Sequence, residues 1–262
     1  MGSFSDYLEL ELLDHVLKVG AYTVPTNIYI ALSTADPLDD ASGLAEPGAP
    51  EAYARVLCNV WDAAASRVTQ NTAAVQFPEA TGAWGTITHF AIYDHLTAGN
   101  MLAHGSFVAS KAVVAGQTLT IAIGEIDVSF LAAGVSNYLA NALLNHVFKT
   151  AAYTPATNLY VALSTVAITD SMSGASISEP IANYARILHN SWNIAAAGAT
   201  SNNGNVTFVT ATTIWGDIVG VAILDHLTAG NLLIYAVLTT AQSLVVGDTA
   251  KFPDTTWIVT FD

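Results

Sequence analysis

The chain is written twice. The heptapeptide Asp94-His95-Leu96-Thr97-Ala98-Gly99-Asn100 returns letter for letter as Asp225-His226-Leu227-Thr228-Ala229-Gly230-Asn231, an offset of 131 residues. The same offset carries Ser5 to Ser136, Tyr7 to Tyr138, His15 to His146, Tyr53-Ala54-Arg55 to Tyr184-Ala185-Arg186, Trp61 to Trp192 and Trp84-Gly85 to Trp215-Gly216. Near the end of each copy it still takes Gly116 to Gly247 and Phe130 to Phe261. A register held over a whole copy calls for two tandem domains of one fold, residues 1–131 and 132–262, and not for a solenoid of short repeats. Each copy has ordinary domain size and can enclose its own core.

Composition narrows the function. Hydrophobic residues make up 52% of the chain and charged residues only 11%, where soluble domains carry about a quarter. The mean hydropathy is +0.45. A surface so poor in charge leaves apolar patches, which mark contacts with other proteins, so an assembly component is expected. Seven basic against 21 acidic residues give a net charge of −14; a phosphate-backbone partner needs clustered basic residues, so nucleic acid binding is not expected. Nor is a membrane partner: no apolar run reaches spanning length, and no basic segment followed by an apolar one opens the chain. These features suit a protein made and soluble in a host cytoplasm. The first repeat holds 14 acidic and 4 basic residues, the second 7 and 3, which points to the second as the one more engaged with a partner.

Each repeat opens with a helical pattern, Leu8, Leu12, Val16 and Val19 in the first and Leu139, Leu143 and Val147 in the second. Ser5 and Ser136 stand as N-caps, with Asp6 and Asn137 as rivals. The segments ending in Pro25 and Pro155 are expected to stop the helices. Asn27–Leu32 and Asn158–Leu163 then read as strands. A long Gly-, Pro-, Ser- and Asp-rich loop follows, and further strands are expected over 54–61, 73–77, 86–93, 101–108 and 118–130 and their counterparts. One helix and about seven short strands per copy argue for a mainly β fold, two tandem antiparallel β-sandwich or jelly-roll-like domains each preceded by one short helix.

The repeated heptapeptide fits a connection between strands: Gly99 and Gly230 supply positive φ, while Asn100 and Asn231 close the turn. Asp94-His95 and Asp225-His226 resemble a carboxylate-oriented base. Neighbouring strand residues point to opposite faces, however, so a turn-stabilising role for Asp94, His95, Asp225 and His226 is the better reading. His15 and His146 have no second histidine at helical spacing, so no metal is expected. Cys58 is the sole cysteine and faces His189 at the equivalent position; no intramolecular disulfide can form, and a buried structural thiol is expected. No residue set calls for catalysis or a cofactor. Trp61, Trp84, Trp192 and Trp215 could stack on sugar rings, or, kept at the same places in both copies, act as core anchors.

Ser136-Asn137-Tyr138-Leu139, Leu143-Leu144-Asn145-His146-Val147-Phe148, Pro155 to Thr165, Tyr184-Ala185-Arg186, Val206-Thr207-Phe208, Trp215-Gly216 and Gly230-Asn231-Leu232-Leu233 resemble a family of short bacteriophage virion proteins commonly labelled phage tail fibre protein, here duplicated. The resemblance implies a virion location and, as partners, the major capsid protein or tail proteins and further copies of the chain. Fibre shafts use heptads, collagen triplets or short β-helical repeats, and the chain has none of these. A non-enzymatic capsid cement protein, stabilising the shell through two tethered domains, is therefore the first expectation, and a tail fibre or tail-tip protein binding a host glycan receptor the second.

Overall fold

A computed structural model of the protein describes residues 2–261. The chain is mainly β, and one short α-helix opens each repeat. The first repeat runs β1 (Gly2–Phe4), α1 (Asp6–Val16), β2 (Tyr29–Ser33), β3 (Val56–Leu57), β4 (Val68–Gln70), β5 (Val75–Glu79), β6 (Gly85–Tyr93), β7 (Met101–Val113), β8 (Thr118–Ile121) and β9 (Asp127–Ser129). The second runs α2 (Asn137–Val147), β10 (Tyr160–Ser164), β11 (Ile187–Leu188), β12 (Ala199–Ser201), β13 (Val206–Thr207), β14 (Gly216–Leu224), β15 (Leu232–Leu244), β16 (Lys251–Phe252) and β17 (Ile258–Thr260).

The residues collect into two compact units, each assembled from three stretches of chain. Unit 1 takes the chain up to Glu9, Thr23–Leu131 and Asn141–Tyr153; unit 2 takes Leu10–Tyr22, Ala132–Ala140 and the chain from Thr154. Each helix thus gives its first turn to the unit of its own repeat and its remainder to the other unit.

The helices begin where the serines cap them. Ser5 Oγ accepts the Leu8 amide at 3.3 Å and Ser136 Oγ the Leu139 amide at 3.1 Å, which satisfies one of the free N–H groups of a first turn. They stop earlier than the prolines suggest. Lys18 and Lys149 adopt φ of 66° and 65°, and the amides of Val19 and Gly20 turn back onto Asp14 O, as those of Thr150 and Ala151 do onto Asn145 O. A left-handed residue ends a helix by turning its following amides onto the last carbonyls; Pro25 and Pro155 lie beyond this turn.

In unit 1 a seven-stranded sheet runs β3-β2-β6-β7-β1-β9-β4, with β5 and β8 paired separately. Its pairings are antiparallel except β1 with β9. Unit 2 has a four-stranded sheet β11-β10-β14-β15 and the pairs β12-β17 and β13-β16. The difference is one strand. Gly2–Phe4 bonds to both β7 and β9, whereas its counterpart reaches β15 through a bridge of Val135 to Ile234 and the Tyr235 amide on Gly134 O at 2.7 Å. A cleft of about 430 Å³ remains there, bordered by Gly134, Ile234, Val237, Trp257 and Thr260.

The expected strand over 118–130 is two strands, because Gly124 turns the chain at φ 72°. The buried Asn71 fixes that turn: its amide nitrogen donates to Ala73 O and Ala122 O, and its Oδ1 accepts the Ile126 amide at 3.0 Å. Asn202 repeats the device on Gly204 O, Pro253 O and the Trp257 amide. The chain also turns at 114–117, with Gly116 at φ 82°, between β7 and β8, but β8 pairs with β5. An amide side chain that meets three backbone groups at once is what allows a polar residue to be fully buried.

Candidate functional site

The duplicated heptapeptide is held by an arginine. In unit 1 Arg55 forks onto Glu46, with Nε 3.0 Å from Oε1 and Nη2 2.8 Å from Oε2. Its Nη1 donates to His95 O at 3.1 Å and Ala98 O at 2.9 Å, carbonyls of the heptapeptide itself. The guanidinium lies 3.6 Å from the centre of the Tyr93 ring. Tyr53 completes the clamp by donating its hydroxyl hydrogen to Glu46 at 2.8 Å while accepting the Leu32 amide at 2.9 Å. Burial works to lower the Arg55 pKa, but the hydrogen bond and charge of Glu46 outweigh it and the net shift is upward; burial, then Glu46, push Tyr53 upward as well. The arginine stays charged and the phenol neutral.

Unit 2 repeats the ion pair and the tyrosine bonds on Arg186, Glu179 and Tyr184, with Leu224 at the position equivalent to Tyr93. Arg186 Nη1 donates to His226 O and Ala229 O, each at 2.8 Å, and Nη2 also reaches Gly174 O at 2.6 Å. Within each heptapeptide the first and last residues close the loop: Asp94 accepts the backbone and side-chain amides of Asn100 at 2.7 and 3.0 Å, and Asp225 those of Asn231 at 2.6 and 2.7 Å. Gly99 and Gly230 both stand at φ 83°. Exposed are His95 to Asn100 in the first loop and His226 to Ala229 in the second. Beside the second loop a cleft of about 310 Å³ opens, lined by Glu179, Tyr184, Ala185, Arg186, Leu227 and Thr228. Each unit therefore displays the same His-Leu-Thr-Ala run on a loop whose backbone is held by the arginine.

A methyl group on Gly230 would stand 2.2 Å from Asp225 Oδ1 and 2.5 Å from His226 Cβ. Gly230→Ala is expected to cost at least about 1–2 kcal/mol through the left-handed backbone alone and to raise amide exchange across 225–231. An unchanged urea midpoint together with an unchanged loop would contradict the fixed-loop description.

The other singled-out residues fall elsewhere. Asp94 and His95 do not touch through their side chains: Asp94 bonds Asn100, and His95 Nδ1 accepts the Thr97 amide at 3.3 Å. Among the described residues no group of three or more His, Cys, Asp or Glu forms a metal-holding cluster. Cys58 is buried, and burial pushes its thiol up to about 11. Trp61, Trp84, Trp192 and Trp215 are all buried, which corrects the sugar-stacking expectation: their rings are packed into the fold. Trp61 lies 4.2 Å from Phe148 and donates to Cys58 O, while Trp84 and Trp215 donate to Glu51 O and Ala182 O. Arg55 and Arg186 were visible as a repeated Tyr-Ala-Arg. The signal for their role is that they form, with Lys18 and Lys149, the only basic pairs kept at the offset among the chain's seven basic residues.

Where Cys58 stands in the first repeat, the second has His189, edge-on to Trp192 at 5.2 Å. Burial lowers its pKa below the ordinary 6.5. A depressed folded-state value means that the fold prefers neutral His189, so its contribution is present above pH 6.5 and is lost as pH falls below it. His189→Cys should flatten the acid side of the stability profile of unit 2. Wild-type and variant urea midpoints that fall in parallel from pH 7 to 5 would sink this assignment.

The family model described as podophage GP4 fiber I protein gp80 matches residues 3–129 and again 134–260. The chain belongs to this family. It is a tandem duplication of the fiber I repeat, a structural virion protein of the phage fibre type, and so associates with other virion components. No curated protein matches the chain. Both fiber I repeats contain the whole clamp, from Glu46 or Glu179 through the heptapeptide.

Proposed function

We propose that the protein is a non-enzymatic fibre component that joins a neighbouring virion protein through an apolar end of unit 2. The observation that carries this is a cluster of large exposed aliphatics: Ile181 at 99%, Ile214 at 69%, Val245 at 48% and Val246 at 62% exposure. They sit on neighbouring segments, since the Trp215 indole donates to Ala182 O and the Trp215 amide to Leu244 O. The equivalent positions of the first repeat are Pro50, Ala83, Val114 and Ala115, a smaller apolar set. An exposed apolar patch in one unit, in a repeat that also carries less acid, supports contact with a partner surface. The family description supports the fibre reading over the capsid-cement one.

The test is immunogold labelling of virions, wild type and carrying Ile181→Asp with Ile214→Asp. Label confined to the tail end in the wild type and absent from the variant is the expected result. Label spread over the head would overturn the fibre reading in favour of capsid cement, and undiminished label on the variant would remove the apolar end as the joining surface.

A further inference from the structure

Outside the clamp and the apolar end, one set of contacts remains unassigned: those made by the later turns of the two helices. In unit 1, Asn145 Oδ1 accepts the Ala64 amide at 2.7 Å, Asn141 Oδ1 the Arg67 amide at 2.8 Å, and Lys149 Nζ donates to Thr26 O at 2.6 Å. Phe148 packs on Trp61. Every one of these partnerships joins a helix of the second repeat to strands and loops of the first. In unit 2, Asp14 Oδ1 accepts the Ala195 amide at 2.7 Å, and Lys18 Nζ donates to Thr157 O. The offset of 131 turns Asp14 into Asn145, Ala64 into Ala195, Lys18 into Lys149 and Thr26 into Thr157. Two of the contacts, the Asn or Asp cap on the amide of Ala64 or Ala195 and the lysine on the carbonyl of Thr26 or Thr157, are therefore repeated with the repeats exchanged, whereas the Asn141 bond belongs to unit 1 alone because the offset places Leu10 at the equivalent position.

We propose that each repeat carries a docking groove for the opening helix of an equivalent repeat, so that the protein is a fused pair of helix-exchanging partners. The groove is recognised by chemistry found on both helices. An Asn or Asp oxygen caps the free amide at Ala64 or Ala195, a lysine at the left-handed helix end caps a carbonyl, and the apolar stripe fills the space between. Leu13, Val16 and Leu17, and Leu144, Val147 and Phe148, are buried, so a repeat deprived of its partner's helix exposes the lining of its groove while its own helix loses its cover. Joining the repeats in one chain makes the exchange intramolecular and raises the effective concentration of each helix at its groove. The family model spans one repeat and matches twice; a chain with a single such repeat would draw the missing helix from a second copy.

Two measurements on the full chain test this. A protease site inserted after Leu131, which is 60% exposed, is cut after folding; the halves are expected to co-migrate as a 1:1 complex in buffer and to separate only in denaturant. Halves that part in buffer at micromolar concentration would overturn the proposal. Asn145→Ala is expected to speed amide exchange over residues 61–71 about tenfold, the loss of one net hydrogen bond, and to leave 192–202 unchanged, with Asp14→Ala giving the converse. Acceleration in the variant's own repeat instead would also overturn it.

Discussion

Arg186→Met is expected to lower the stability of unit 2 by about 3–5 kcal/mol, the usual cost of breaking a buried ion pair from one side. The arginine side chain is 2% exposed and its partner Glu179 22%, so Glu179 would keep a charge in a place from which water is largely excluded. Gly174 O, His226 O and Ala229 O would lose their donor at the same time. Arg186→Lys should recover only part of the loss, because a single ammonium cannot span a carboxylate and three carbonyls as a planar fork does. Removing Glu179 as well, in the Arg186→Met, Glu179→Leu double variant, should cost less than the single substitution, since no unpaired charge is left. Urea unfolding gives the magnitudes, and hydrogen exchange over 225–231 shows whether the exposed loop is released. A loss below about 1 kcal/mol, the range of an exposed pair, with the loop still protected, would mean that the heptapeptide stands on its Asp225–Asn231 bonds alone.

Phe148→Ala is expected to cost about 3–5 kcal/mol, as truncation of a fully buried aromatic does. Phe148 is 1% exposed, and its ring centre stands 4.2 Å from that of Trp61, so both transfer free energy and ring contact are lost. The informative part is where the loss appears. Phe148 is in the second repeat by sequence but in unit 1 by packing, so faster exchange should appear around Trp61 and β4 and not around Trp192 and β12. Destabilisation confined to β12 and β17 would show that the helix packs on its own repeat. The same substitution separates an ordinary tandem pair, in which each repeat answers only to its own mutations, from the arrangement described above.

Several elements were legible before any coordinates. Ser5 and Ser136 were readable as caps because capping is a local contest between a hydroxyl and a free amide three residues on. Gly99 and Gly230 were readable as turn residues because a positive φ depends on the residue itself. The strands β2, β6, β10 and β14 announced themselves through apolar runs of β-branched and aromatic residues. The helix stops were misplaced for a related reason: proline is a visible breaker, whereas a lysine driven to φ 66° is set by the bonds that its neighbours make. Burial of the tryptophans was also undecided, since an aromatic kept in both copies suits a core and a ligand platform alike.

The sequence by itself determined the duplication, the mainly β class and the opening helices, because each rests on periodicity, local propensity or letters held at one offset. The clamp needed the tertiary structure. Its carboxylate is Glu46 in the first repeat and Glu179 in the second, and an offset of 131 carries Glu46 to Ile177 instead. A loop can deliver a carboxylate to an arginine from either of two positions, so the contact is preserved while the register is not. The assignment of helix to unit was likewise decided only in three dimensions: an amphipathic stripe states that a helix must be covered, but not by which of two nearly identical surfaces.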